Sequence, residues 1–381
     1  MELNTNSGIY VKNYGWFIPS SDINALFLIT DENETKYLGC FEGGKHSQCW
    51  NIISTFQKNE YLYFFSSYEC IFWIYDLKHQ ILRKKKYADT YFGKINNVLL
   101  VGNVFCVFPT DIIGEVFLID IKDCRVSTLN LSKFSSNKKQ IVTPVHNDSD
   151  IFIVEYDCLN PKLIQLTAET KEIHTMMLDT FMKILSVSIY QNQLFIIGKD
   201  LMGNALIATI AINQMKIINS NSIEFFDTFY KIDNNSKTYM NQKYIYFFSK
   251  IKKEILIFNY IDRTFDRIIE FDTLTDEQIG IGDFQSANQY IFLFSTNLGC
   301  VQELDLKKNR IIRKNIFIND EVYDYAKVLF LNQPTKHTFL ETTGLGINSF
   351  LDDIEKDSIK DCDEKSNKSF GQQIFEHLLK Y

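Results

Sequence analysis

Four lysines occupy a recurring stretch: DTYFGKI at 89–95, DTFMKI at 179–184, DTFYKI at 227–232 and the looser YDYAKV at 323–328. Each sets a cation, Lys94, Lys183, Lys231 or Lys327, directly before an aliphatic residue, and Asn51 holds the equivalent place before Ile52. An ammonium is a compact point charge with three donors, so several gathered in one place would attract a phosphate, a carboxylate or an acidic peptide. His46 and His146 are the two of six histidines whose positions suit such a cluster. A competing reading pairs each lysine with its own acid, Asp89, Asp179, Asp227 or Asp324, because the acid recurs with the base. The stretch would then be a structural latch.

Other chemistry is sparse. Asp22, Asp111, Asp157 and Asp200 could serve as paired carboxylates wherever two converge. The chain has no Walker loop, GxGxxG, HExxH, GxSxG or EF-hand loop, so no catalytic residue, metal or cofactor is expected and the reading leans away from an enzyme. Eight cysteines lie far apart with no CxxC pair, mostly within or beside apolar runs, as in a reducing compartment. A formal charge of −7 opposes a general nucleic-acid binder. No apolar run approaches the roughly 18 residues of a spanning helix, and the start MELNTNSGIYVKNYGWF lacks a basic and apolar leader, so a cytoplasmic protein off the membrane is expected.

The elements that must position these groups follow from the apolar runs. YIYFFS and ILIF, within residues 244–258, stand a few polar residues apart, and the pattern recurs at 16–30, 61–76, 104–120, 151–166, 194–212 and 290–306. A strand covered on both faces reads as a continuous apolar run, whereas one covered on a single face alternates. Seven such hairpins start roughly 43 to 50 residues apart, in the range in which propeller blades repeat. Each is followed by a polar turn and a more mixed segment, such as LKHQILRKKKY or LKKNRIIRKNIF, and preceded by another, such as KINNVLLVGN. This predicts four strands per unit, A to D, with B and C sandwiched and D outermost. The basic run at 83–86 then protects an outer edge, and Trp50 and Trp73 belong to the core. Residues 324–331 are expected to return as strand A of the first unit and close the ring; IYVKN, near the start, is the competing candidate.

Over about residues 8–331 the chain therefore resembles β-propellers, and among them the degenerate, largely uncharacterised bacterial ones whose B strand ends in proline, as in WFIPSS and VFPTD. It lacks the GH and WD pair of WD40 repeats, the Asp-box, the YWTD run and the repeated double glycines of kelch. The resemblance implies an all-β, seven-bladed fold and brings no catalytic residues with it. By analogy of fold alone, it implies a scaffold that binds a protein or peptide through its loops. The alternative is an enzyme or small-molecule binder taking an anionic or glycan ligand at the lysine-lined mouth of the ring.

The period breaks near the end, which divides the chain into a propeller at 1–334 and a helical tail with a charged linker at 335–381. Phe370, Ile374, Phe375 and Leu378 share one side of a final amphipathic helix, with Ser369 and Gln372 as its capping box. That side either docks on the propeller or meets a partner protein.

Overall fold

The computed structural model describes residues 5–20, 23–41, 52–67, 70–88, 95–109, 114–134, 140–156, 161–223, 237–248, 254–270, 281–287, 289–295, 300–315 and 318–331. Among them are seven four-stranded antiparallel sheets, each built from four consecutive strands, which is the seven-bladed propeller expected from the repeat. Blade 1 is β1 (Ile9–Val11), β2 (Gly15–Pro19), β3 (Ala25–Ile29) and β4 (Thr35–Cys40). Blade 2 comprises β5 (Ile52–Lys58), β6 (Tyr61–Ser66), β7 (Ile71–Asp76) and β8 (Ile81–Lys86). In blade 3 the strands are β9 (Asn97–Val101), β10 (Val104–Phe108), β11 (Glu115–Asp120) and β12 (Val126–Asn130). Blade 4 has β13 (Val145–His146), β14 (Asp150–Val154), β15 (Lys162–Thr167) and β16 (Ile173–Met177). Longer strands form blade 5: β17 (Phe181–Tyr190), β18 (Gln193–Asp200), β19 (Ala205–Ala211) and β20 (Lys216–Ser222). Blade 6 is β21 (Lys237–Met240), β22 (Tyr244–Phe248), β23 (Glu254–Asn259) and β24 (Thr264–Glu270). Blade 7 closes the series with β25 (Ile281–Ala287), β26 (Tyr290–Ser295), β27 (Cys300–Asp305) and β28 (Arg310–Asn315).

Burial follows the expected order of strands. Every residue of β3, β10 and β14 is buried, whereas the outer β8 and β20 are exposed or half-buried throughout. Trp73 is buried as expected, and Arg83 and its three following lysines lie on the outer edge. The first strands of successive blades approach one another around the axis. Polar contacts between them stitch the ring: the Thr238 hydroxyl donates to the Val187 carbonyl at 2.9 Å, and the Tyr10 amide donates to Gln285 Oε1 at 2.9 Å.

The closing segment differs from expectation. Residues 324–331 do not form a strand; they belong to helix α1 (Asp320–Leu331), and the first strand of blade 1 is β1, from IYVKN. The physical reason lies just upstream. The Asn319 side chain accepts the Glu321 amide at 2.8 Å as an N-cap, and Asp320 and Glu321 place negative charge in the first turn. Tyr323, Ala326 and Phe330 then fall on one helical face and are buried with Ile318, Phe27, Phe294 and Val301 across the junction of blades 1 and 7. The ring is closed by apolar packing under this helix, including Trp16 edge-on to Phe292 at 4.7 Å, rather than by a shared strand. The tail expected at 335–381 lies outside the described residues.

All seven turns between third and fourth strands contain a non-glycine residue at positive φ: Asn33, Gln80, Cys124, Lys171, Met215, Arg263 and Asn309. In several, the last residue of the third strand folds its side chain onto the turn, as where Asp76 Oδ1 accepts the Lys78 and His79 amides and Asp305 Oδ1 accepts that of Lys307. His79 adds its ring, with Nδ1 2.8 Å from Asp76 Oδ2. The His79 amide, followed by its ring, holds the Asp76 carboxyl below the usual range. A left-handed conformation costs a β-carbon-bearing residue on the order of 1 kcal/mol. Lys171, at φ 62, is exposed and lacks the local hydrogen bonding that makes asparagine tolerant of it. Lys171→Gly is therefore expected to raise stability by about 0.5 kcal/mol or less after glycine's extra chain entropy is subtracted. The urea midpoint should rise with an unchanged slope; a lower midpoint would mean the side chain matters more than the strain.

Candidate functional site

Antiparallel blades put the turns between strands 1 and 2 and between strands 3 and 4 at one end of the ring. The connections between strands 2 and 3, and between successive blades, lie at the other. At this second end blade 5 offers the most complete surface among the described residues. The β18–β19 turn is held by Asp200, whose Oδ1 accepts the Met202 amide at 2.9 Å and the Asn204 amide at 2.8 Å, while Oδ2 accepts the Asn204 side-chain amide at 3.1 Å. Desolvation pushes the Asp200 carboxyl up, but bonds from the Asn204 side chain and from the Asn204, Met202 and Gly203 amides outweigh it, and it sits below the usual range. This carboxylate is occupied in shaping a turn. Asp22, Asp111 and Asp157 lie outside the described residues.

The turn holds two apolar side chains out to water, Leu201 at 57% exposure and Met202 at 88%. The neighbouring strand β17 starts beside it, since Phe181 pairs with Asp200, and Met182 is exposed there too. Phe181 itself is buried, anchoring the strand below its solvent-facing neighbour. Three apolar side chains, Met182, Leu201 and Met202, thus face water on or beside one fixed turn.

Lys183 lies on the same strand, half-buried, with its ammonium 4.6 Å from the centre of the Tyr156 ring of blade 4. The Ile184 amide donates to the Tyr156 carbonyl at 3.0 Å, so the two blades are joined at this point. Lys183 is directly opposite Lys199 across the β17–β18 pair, which sets two cationic residues side by side. Gly198 makes this register possible: a β-carbon there would collide with the Lys183 carbonyl and the Phe181 ring. Sequence reasoning missed Lys199 because it lies outside the recurring stretch, and its proximity depends on a register shift between Phe181 and Lys183.

The remaining expected residues are not brought into this group. Lys327 is exposed on α1 and stands at the start of no strand, so the likeness of YDYAKV to DTFYKI does not extend to structure. His146 ends β13 at the opposite end of the ring, next to the turn at Asn147, with Nδ1 2.9 Å from the Asn147 carbonyl. His46, Asn51, Lys94 and Lys231, together with Phe370, Ile374, Phe375 and Leu378, lie outside the described residues. Among those described, no group of three His, Cys, Asp or Glu side chains could hold a metal, and no helix is long and apolar enough to cross a membrane.

No protein-family model matches the chain, and no curated protein matches it either, as expected of a propeller without a recognised signature. Solved structures do. The β-propeller domain of Cps50 (Swd1) from Myceliophteria thermophila superposes with a TM-score of 0.53 at 11% identity, covering 80% of this chain and 98% of that one. A chain of the mitotic checkpoint complex gives 0.50 at 10% identity, with 84% and 91% covered. Streptogramin B lyase gives 0.55 at 11%, with 82% and 95% covered. At such identities these neighbours share the fold with this chain, a degenerate seven-bladed β-propeller, and nothing about the chemistry is carried over.

Proposed function

We propose that the chain is a non-catalytic scaffold that docks another protein or a peptide on the end of the ring carrying the β18–β19 turn. The observation that supports it is the pair Leu201 and Met202, held in water by a turn that the Asp200 carboxylate fixes from within. Energy spent in ordering a loop to display apolar groups is recovered when a partner covers them. One structural neighbour is part of an assembly, the mitotic checkpoint complex, which agrees with this reading, whereas the streptogramin B lyase is an enzyme on the same fold. A second reading, an anionic small-molecule site, draws support from Lys183 standing opposite Lys199.

One experiment separates the two. Full-length protein and its Leu201→Asp/Met202→Asp and Lys183→Ala variants are used as bait in the native cell extract, with melting curves to check that each is folded. The scaffold reading expects a defined partner retained by the parent and depleted about tenfold or more by the double variant, since a buried carboxylate in an apolar contact is costly. Retention by the double variant would overturn the scaffold reading, and a rise of the parent's melting point with inorganic phosphate that is lost in Lys183→Ala would favour the anionic site instead.

A further inference from the structure

On the opposite end of the ring, a groove of about 330 Å³ separates blades 5 and 6. Its floor is aromatic: the rings of Phe195 and Tyr260 lie 5.0 Å apart, and the Tyr260 hydroxyl donates to the Gln242 carbonyl at 2.8 Å, which fixes the ring in place. Two aliphatic side chains stand at its rim well out in water, Ile218 at 50% exposure and Ile261 at 59%. The one formal charge among the lining residues is a cation, Arg263, on a chain that carries −7 in all. Arg263 forms no ion pair among the described residues. The adjacent acid, Asp262, is engaged by the Asn259 side-chain amide at 2.6 Å.

The arrangement recurs. Between blades 1 and 2 a second groove, of about 230 Å³, opens on the same end of the ring. There Phe17 takes the strand position of Phe195 and packs against Tyr75 at 5.6 Å, and the single formal charge is again a cation, Lys36. Lys36 is 4.0 Å from Glu34, so part of its charge is already answered and the groove between blades 5 and 6 is the stronger anion site.

We propose that the groove between blades 5 and 6 binds an extended acidic peptide segment of a partner protein, with an aliphatic side chain over Phe195 and Tyr260 and a neighbouring carboxylate on the Arg263 guanidinium. The pairing follows from charge: a guanidinium offers a planar fork that fits a carboxylate, and an apolar cleft beside it selects the residue next to that carboxylate. This surface is independent of the one at the β18–β19 turn, which lies at the other end of the ring.

The test uses full-length protein and fluorescein-labelled peptides of about ten residues, read by anisotropy. One peptide alternates isoleucine with aspartate, a second isoleucine with lysine, a third serine with aspartate. Saturable binding is expected for the first alone, weakened about tenfold or more by Arg263→Gly and by Ile261→Asp, and unchanged by Leu201→Asp/Met202→Asp. Arg263 has φ 59, so Arg263→Gly also relieves backbone strain and should melt no lower than the parent. Loss of binding in that variant is therefore not loss of fold. Absence of saturable binding by the isoleucine–aspartate peptide, equal binding of the isoleucine–lysine peptide, or an unchanged affinity in Arg263→Gly would each overturn the proposal.

Discussion

Phe105→Ala is expected to lower the unfolding free energy by about 3–5 kcal/mol, and Phe105→Leu by about 1.5 kcal/mol or less. Phe105 belongs to β10 of blade 3 and is fully buried, yet its neighbours come from blade 2: Tyr63 and Phe65 at 4.8 Å, Phe56 at 5.5 Å and Phe72 at 6.4 Å. Phe65 and Phe72 stack at 5.0 Å and 14°, so the ring of Phe105 is inserted into a preformed aromatic wall. Truncation removes ring contacts with several side chains that are tied into strands and cannot close the space. The effect reaches beyond one residue because each blade is held to the next mainly by such side-chain packing. Opening one joint exposes two apolar sheet faces together. Urea unfolding followed by tryptophan fluorescence reads this directly, since Trp73, edge-on to Phe41 at 5.2 Å, is buried on the other face of blade 2. A loss below about 1 kcal/mol would mean that the inter-blade joint is not where the stability resides.

The blades were legible in the sequence because double-sided burial leaves a direct trace. VFCVF at 104–108 and DIFIV at 150–154 are buried at every position, and such runs recur at a spacing that only a radial stack accommodates. Closure of the ring was less legible. YDYAKV matches the lysine-bearing stretches in residue type, but the N-cap at Asn319, the acids after it and the spacing of Tyr323, Ala326 and Phe330 carry the stronger signal, for a helix. At three residues, β1 is too short to show any period. The candidate site was half legible: Lys183 stands out through its repeat, whereas Lys199 enters only through the bulged register of β17 and β18. The groove between blades 5 and 6 joins Phe195 of one blade to Tyr260 and Arg263 of the next, and no spacing in the chain links the first to the other two. The positive-φ turns were hidden for a different reason, since glycine, their usual marker, is absent from all seven.

Lys237→Met is expected to cost about 3 kcal/mol, and Lys237→Met with Asp283→Leu substantially less than the sum of the two single changes. Lys237 starts β21 in blade 6 and Asp283 lies on β25 in blade 7, so the 2.6 Å contact between Nζ and Oδ1 is a bond across blades on the inner wall of the ring. The register of β25 against β26 shifts between Ile281 and Asp283, a bulge of the kind that re-aims a side chain. Exposure decides the magnitude. At 16% and 17% the two side chains are largely withdrawn from water, whereas a surface pair would contribute roughly 0.2–1 kcal/mol and fade with salt. Removing one partner strands the other charge in a poorly solvated place; removing both replaces two desolvated ions by apolar atoms that can pack. A double-mutant cycle measured by urea unfolding should return a coupling of about 2–3 kcal/mol that changes little between low and high salt. Coupling below about 1 kcal/mol, or coupling lost in salt, would class this pair with surface ones and leave side-chain packing alone to join blades 6 and 7.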